Sequence, residues 1–189
     1  MARGTAPGVQ FGLGPVLGLG LAAGGLAAGC DVSSGPSEAP GPIGVRAENQ
    51  GFVLQVVLPS AGFASTDAIP VTTTLTWSGP AAKATIWGSG SGPVEFLIAE
   101  VGGGRRTMGG AMTADCRPSS YARGVPVDVP LVKSGGYTGD DPNAAFYQAW
   151  YADPVLRLPA GRWQLRVTAI GFLAPCAAGA SPTRSTRAD

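Results

Sequence analysis

The side chains of this 189-residue chain that could do chemistry are defined first by an absence: the chain has no histidine. Ser-His-Asp and Cys-His nucleophilic arrangements are therefore excluded, as are zinc sites built on imidazole. No Gly-x-Ser-x-Gly elbow occurs, and neither lysine, Lys83 or Lys133, closes a Ser-x-x-Lys motif. The glycine-rich run Gly88-Ser-Gly-Ser-Gly92 lacks the Lys-Ser/Thr ending of a phosphate loop and reads as a turn. Oxygen chemistry has one compact candidate, Asp140, Asp141 and Asn143, whose ligand types suit calcium. The same Asp141 also suits a helix cap, and the run lacks the ligand spacing of a calcium loop. Glu95, Glu100, Asp115 and Asp128 supply carboxylates for glycoside chemistry, which needs two of them within about 5–10 Å of each other; nothing in their spacing brings two together. Trp150 and Tyr151, near the end of an expected helix, are the aromatics placed to stack on a sugar, whereas Trp77 and Trp163 fall on inward faces of their strands. The expectation is a protein without catalytic residues and without a cofactor.

Charge narrows the partners. Thirteen basic residues oppose twelve acidic ones, with no basic surplus to cluster on one face, so nucleic acid is not an expected partner. Glu, Lys, Gln and Met are scarce while Gly, Pro, Thr and Val are plentiful, which favours strands and turns over long helices.

The first 29 residues have the pattern of a secretory leader: one charge at Arg3, then an uncharged apolar stretch from Phe11 to Gly29 ending in small residues. The end of it, Leu26-Ala27-Ala28-Gly29-Cys30, resembles the lipobox of bacterial lipoproteins, with Ala27 where that family most often has Leu. The resemblance implies cleavage before Cys30, lipid on its thiol, and a protein held on the outer side of the cytoplasmic membrane. Acyl chains stabilise such an anchor by about 0.8 kcal/mol per buried CH2. Two alternatives stay open at this point: an uncleaved transmembrane helix, and a leader cut without lipidation. In some Gram-negative bacteria an aspartate after the cysteine, here Asp31, holds a lipoprotein in the inner membrane.

The rest divides by composition. Residues 1–29 are the expected leader and residues 30–42 the lipidated cysteine with a Ser-, Pro- and Gly-rich tether. A β-domain is expected over 43–178 and a disordered tail over 179–189. Inside the domain, alternating apolar runs predict strands at Phe52–Leu58, Val71–Trp77, Ala84–Trp87, Val94–Ala99 and Trp163–Ala169, with a return strand after the turn at 102–104. Val125–Val132 alternates too, but Pro126 and Pro130 demote it to an edge strand or connector. The segment Asp141–Tyr151 predicts a short helix capped by Asp141, with Pro142 in the first position and Phe146, Trp150 and Tyr147 available to face the sheets. Arg105-Arg106, on a glycine turn, are placed to touch anionic headgroups.

The stretch Leu158-Pro-Ala-Gly-Arg-Trp-Gln-Leu-Arg-Val167 resembles the turn and late strand of many immunoglobulin-like domains, with Trp163 where those domains usually have a tyrosine that bonds back across the corner. The fold class expected is all-β: an antiparallel immunoglobulin-like β-sandwich of about seven strands with one short helical insertion. With Cys30 committed to lipid, Cys116 and Cys176 are left to pair as a disulfide in an oxidising compartment. The functional expectation is a membrane-anchored module whose partner is another envelope protein. The alternative is a binder of carbohydrate through Trp150 and Tyr151, or of calcium through Asp140, Asp141 and Asn143.

Overall fold

A computed structural model of the chain describes residues 8–10, 18–20, 41–109, 112–113 and 115–176. Cys30, the lipobox around it, the tether up to residue 40 and the tail from 177 lie outside the described residues. The strands are numbered in chain order, beginning with two three-residue strands inside the expected leader, β1 (Gly8–Gln10) and β2 (Gly18–Gly20).

Gln50 and Gly51 both take positive φ, 49° and 79°, the backbone that a two-residue hairpin turn requires. They fold β3 (Ile43–Asn49) against β4 (Phe52–Leu58) in strict antiparallel register, Asn49 opposite Phe52 and Ile43 opposite Leu58. β4 then pairs with β5 (Thr72–Trp77), which in turn pairs with the three-residue β10 (Pro126–Asp128). The first sheet therefore has the order β10-β5-β4-β3. Its edges match the composition of the chain at those places. β10 is short and opens with Pro126, with Pro130 just beyond it, and β3 turns Arg46 and Glu48 outward as an exposed ion pair of 3.1 Å, both features that discourage unwanted pairing.

The second sheet is built from β6 (Lys83–Gly88), β7 (Val94–Glu100), β8 (Arg106–Gly109), β9 (Arg117–Ala122) and the 11-residue β11 (Arg162–Phe172), along the path β8-β7-β11-β6-β9. β11 pairs with β7 from Trp163–Glu100 to Ala169–Val94 and touches β6 at Phe172–Trp87. The Ile170 N–H donates to Pro93 O at 2.6 Å, so the chain between β6 and β7 follows the same side of β11. β1 and β2 lie antiparallel along its other side, Gln10 opposite Ile170 and Gly18 opposite Gln164.

The two sheets close on one apolar core. From the first come Phe52, Leu54, Val56, Leu58, Leu75 and Trp77; from the second, Ile86, Phe96, Ile98, Trp163, Leu165 and Val167. The alternation expected for β5 holds: Thr73, Leu75 and Trp77 are buried and Thr72 faces solvent. The structure is thus an all-β sandwich of antiparallel sheets with one short helix, α1 (Ala144–Ala152).

Helix α1 starts later than its sequence suggests. Its N-cap is Asn143, and no side chain bonds there. The Asp141 carboxylate accepts the Asn143 N–H at 2.7 Å and its carbonyl accepts the Ala144 N–H at 2.9 Å, so Asp141 builds the turn before the helix and Pro142 precedes the first helical position. At the other end the carbonyls that a helix leaves unpaired are met from outside. The Lys133 ammonium donates to Trp150 O at 3.1 Å, Asp153 O at 2.7 Å and Val155 O at 2.6 Å. A cation at a helix C-terminus also complements the helix dipole.

Cys116 and Cys176 form a disulfide with their Cα atoms 6.1 Å apart. It joins the residue before β9 to a residue shortly after β11. Since Arg117 pairs with Gly88 and Phe172 with Trp87, the link spans the end of β6.

Candidate functional site

Two places collect the side chains singled out by type. The first lies around α1. Phe146 stacks on Trp163 with ring centres 6.3 Å apart, and the Arg105 guanidinium lies 5.4 Å from the Phe146 ring centre and 5.5 Å from that of Trp163. Arg105 Nε donates to Glu100 Oε2 at 2.6 Å, and its Nη2 reaches the other carboxylate oxygen. The hydrogen bond to Arg105 holds the Glu100 carboxyl below the usual range and raises the Arg105 guanidinium above its own. Arg105, expected on an exposed turn that touches headgroups, instead folds back as the polar lid of an aromatic pair. Of Arg106 only the backbone is described, in β8.

Trp163 is fully buried, and its Nε1–H donates to Pro159 O at 2.9 Å. The bond reaches back four residues, from the start of β11 to the turn before it.

The calcium candidates are occupied locally. Asp141 serves the turn already described, and Asp140 is exposed, its carboxyl held below the usual range first by a hydrogen bond from Thr138. Among the described residues no group of three or more cysteines and carboxylates gathers as metal ligands. Of the glycoside candidates, Glu100 is bound to Arg105 and Asp115 to Arg117.

The structure separates Trp150 from Tyr151. Trp150, a candidate both to stack on a sugar and to face the sheets, does the second: it is only 5% exposed and sits in the core cluster, with the Lys133 ammonium 4.0 Å above its ring centre. Burial lowers the Lys133 pKa. Tyr151 is half-buried and stacks with Tyr137 at 6.2 Å, while Tyr137 stacks with Tyr147 at 6.0 Å. Burial and the neighbouring Tyr147 raise the Tyr151 pKa. Beside Trp150 opens a shallow cleft of about 250 Å3 lined by Ser65, Lys133, Phe146, Trp150, Arg157 and Pro159. Its cations are committed: Lys133 to three carbonyls, and Arg157 to Asp153 at 2.6 Å and Thr66 O at 3.2 Å. The Trp150 Nε1–H, by contrast, is buried without an acceptor. Lys133 and Arg157 escaped the sequence reading because nothing local marks a lysine that reaches some twenty positions along the chain to cap a helix, or an arginine that reaches back to Thr66 O.

The second place is the Gly88–Gly92 turn, which the structure confirms as a turn. Ser89 Oγ lies 3.1 Å from Thr113 Oγ1, the Gly90 N–H donates to Asp115 Oδ1 at 2.8 Å, and Arg117 Nε donates to Asp115 Oδ2 at 2.6 Å. The Thr113 hydroxyl, first of all, and then the Gly90 amide lower the Asp115 pKa to about 2. Because the folded value lies below the unfolded one, the contribution of this clasp is present above the ordinary aspartate range and is lost as pH falls through about 2. The Asp115 carboxyl is therefore expected to titrate near pH 2 by NMR, and Thr113→Val to raise its midpoint. A midpoint of 3.8 or more in the parent would contradict the clasp.

The comparisons with known proteins return no matching family model, no matching curated protein and no matching solved structure.

Proposed function

We propose that this chain is a lipid-anchored extracytoplasmic lipoprotein that works as a non-catalytic protein-interaction module of the cell envelope. The observation that carries the interaction reading is the apolar side of the edge strand β10. Val125 just before β10 and Val127 within it, two residues apart and so on one side of an extended chain, are 52% and 37% exposed. Exposed apolar groups grouped at one edge favour a partner surface over a solvated one. The anchor rests on the sequence from Leu26 to Cys30 and the uncharged stretch before it.

The experiment is intact mass of the protein extracted from membranes, followed by cross-linking in whole cells. The expected species begins at Cys30 and carries added lipid mass, and Cys30→Ser moves the protein out of the membrane fraction. A photoreactive residue at position 127 then joins one specific envelope protein in the anchored form. A species beginning at Cys30 without lipid overturns the anchor, and an anchored protein that cross-links to nothing through position 127 overturns the interaction surface.

The unpaired Trp150 Nε1–H favours a second reading, in which the cleft takes a small hydroxylated ligand such as a sugar. A buried donor without an acceptor costs about 1–3 kcal/mol; the Nε1–H is closed to solvent, so a ligand oxygen recovers that cost only where the cleft opens to admit it. Titration with simple sugars should change the indole emission of the parent and leave Trp150→Phe unchanged. No response to any sugar removes this reading.

A further inference from the structure

β3 is an edge strand with one open side. β4 pairs with every one of its residues, and among the described residues no strand lies on the other side. The two-residue turn at Gln50-Gly51 makes Asn49 and Phe52 a hydrogen-bonded closing pair. Bonding direction alternates along an antiparallel strand, so Ile43, Val45, Ala47 and Asn49 turn their backbone groups to β4, while Gly44, Arg46 and Glu48 turn theirs to the open side. Those three residues are exposed, and a side chain added at Gly44 would meet no described atom within 4 Å. The inner face is open here as well. Ile43, Val45 and Ala47 are half-buried, whereas Leu58, Val56 and Leu54 opposite them are fully buried.

The charges on this edge select what can cover it. Arg46 and Glu48 stand two residues apart on the outer face, with side chains 55% and 53% exposed. An added antiparallel strand sets an acid opposite Arg46 and a base opposite Glu48 only if it reads basic-x-acidic from its own N-terminus. β3 itself reads Arg46-Ala47-Glu48. Charges that discourage an arbitrary strand therefore complement their own two-fold image. Only one register does this. Centred on Ala47, it sets Arg46 of each copy opposite Glu48 of the other, with the free backbone groups of both strands facing. Each arginine then lies between two glutamates, one along its strand and one across. Ala47 meets its own image in the closer, non-bonded kind of pair, Cα atoms about 4.5 Å apart, which a small side chain fits. Centring on Arg46 instead opposes two arginines.

We propose that β3 is a homodimer interface, two copies pairing antiparallel about Ala47 so that their first sheets join into one. The pairing satisfies the free backbone groups of Arg46 and Glu48 and brings Val45 and Ala47 of each copy beside those of the other, which closes the open edge of the core. β10 lies at the far end of the same sheet and stays free in the dimer. The interface thus depends neither on the lipid anchor nor on the β10 surface.

Sedimentation of the purified full chain in excess detergent at rising protein concentration tests it, with near-ultraviolet circular dichroism as the check on folding. A monomer–dimer transition is expected below about 1 mM, the weak end of specific association, and added salt is expected to weaken it. Arg46→Glu opposes like charges in its own two-fold image, and so does Glu48→Arg. Each is expected to weaken self-association about tenfold or more. An equimolar mixture of the two variants opposes unlike charges again and is expected to recover the dimer, as is the double variant Arg46→Glu, Glu48→Arg on its own. Oxidised Ala47→Cys is expected to join two copies through position 47, because that pair falls within disulfide reach, while Gly44→Cys stays unlinked.

A monomer throughout that range overturns the proposal. So does a dimer that neither charge reversal weakens, since its surface lies elsewhere. Loss in both variants without recovery in their mixture overturns it too, because the charges then do not act across the pair.

Discussion

Trp163→Ala is expected to lower the stability of the fold by about 3–5 kcal/mol, the range for deleting a large, fully buried aromatic side chain. Trp163 is fully buried, and it does three things at once: it fills the core between the sheets, stacks on Phe146 of α1, and donates its Nε1–H to Pro159 O. Alanine would leave a cavity beneath α1, strip one ring from the Arg105 guanidinium, and orphan a carbonyl at the corner. Trp163→Phe separates these effects. It keeps an aromatic ring against Phe146 but cannot donate, so it should lose only part of the total, including about 1 kcal/mol for the hydrogen bond. Urea unfolding followed by circular dichroism at equal protein concentration measures both. If alanine cost less than about 1 kcal/mol, far below the usual range for a buried tryptophan, α1 would not be held to the sandwich through this residue.

How much of this arrangement was legible depends on the range of the interactions. The inward face of β5 could be read from Val71, Thr73, Leu75 and Trp77 because a strand side-chain period of two is a local property. The same holds for β4, β7 and β11. β3 was missed, although Gln50-Gly51 was a usable signal: glycine beside a polar residue, with an alternating run ending at Asn49. β9 carries little pattern, since Arg117-Pro-Ser-Ser-Tyr-Ala has one large apolar side chain, Tyr121, to place in the core.

The site followed the same rule in a harsher form. Trp150 and Tyr151 are neighbours in sequence, yet one is buried and the other half-exposed. The difference comes from Lys133, which lies over the indole while it caps the helix, and from Tyr137, which stacks on Tyr151. Both come from the irregular segment between β10 and α1. Arg105 was misplaced for a similar reason. A pair of arginines after three glycines reads as an exposed turn, and only Glu100 at the far side of that turn and the rings of Phe146 and Trp163 show where the first of them goes.

The disulfide is the other feature whose removal should be felt throughout the domain. The double variant Cys116→Ser, Cys176→Ser is expected to lose about 4 kcal/mol, the chain-entropy value for a closed loop of this size; the two residues are 60 apart in sequence. Set against a typical domain stability of about 5–15 kcal/mol, that is a large fraction. The double variant is preferable to a single one because it leaves no free thiol to form mixed disulfides. The loss should also have a place. The link spans the end of β6, where Arg117 faces Gly88 and Phe172 faces Trp87, and the Asp115 clasp on Gly90 sits beside it. Without the link, that end of the second sheet keeps the Asp115 bonds and a few ladder bonds, and its amides should exchange faster than those of the β4–β5 ladder, which the disulfide does not touch. Denaturant unfolding gives the magnitude and amide exchange gives the location. A midpoint matching that of the parent would mean that the unfolded chain is already confined without the bond. A loss spread evenly over both sheets would mean that the domain unfolds as one unit, with no weaker end for the disulfide to guard.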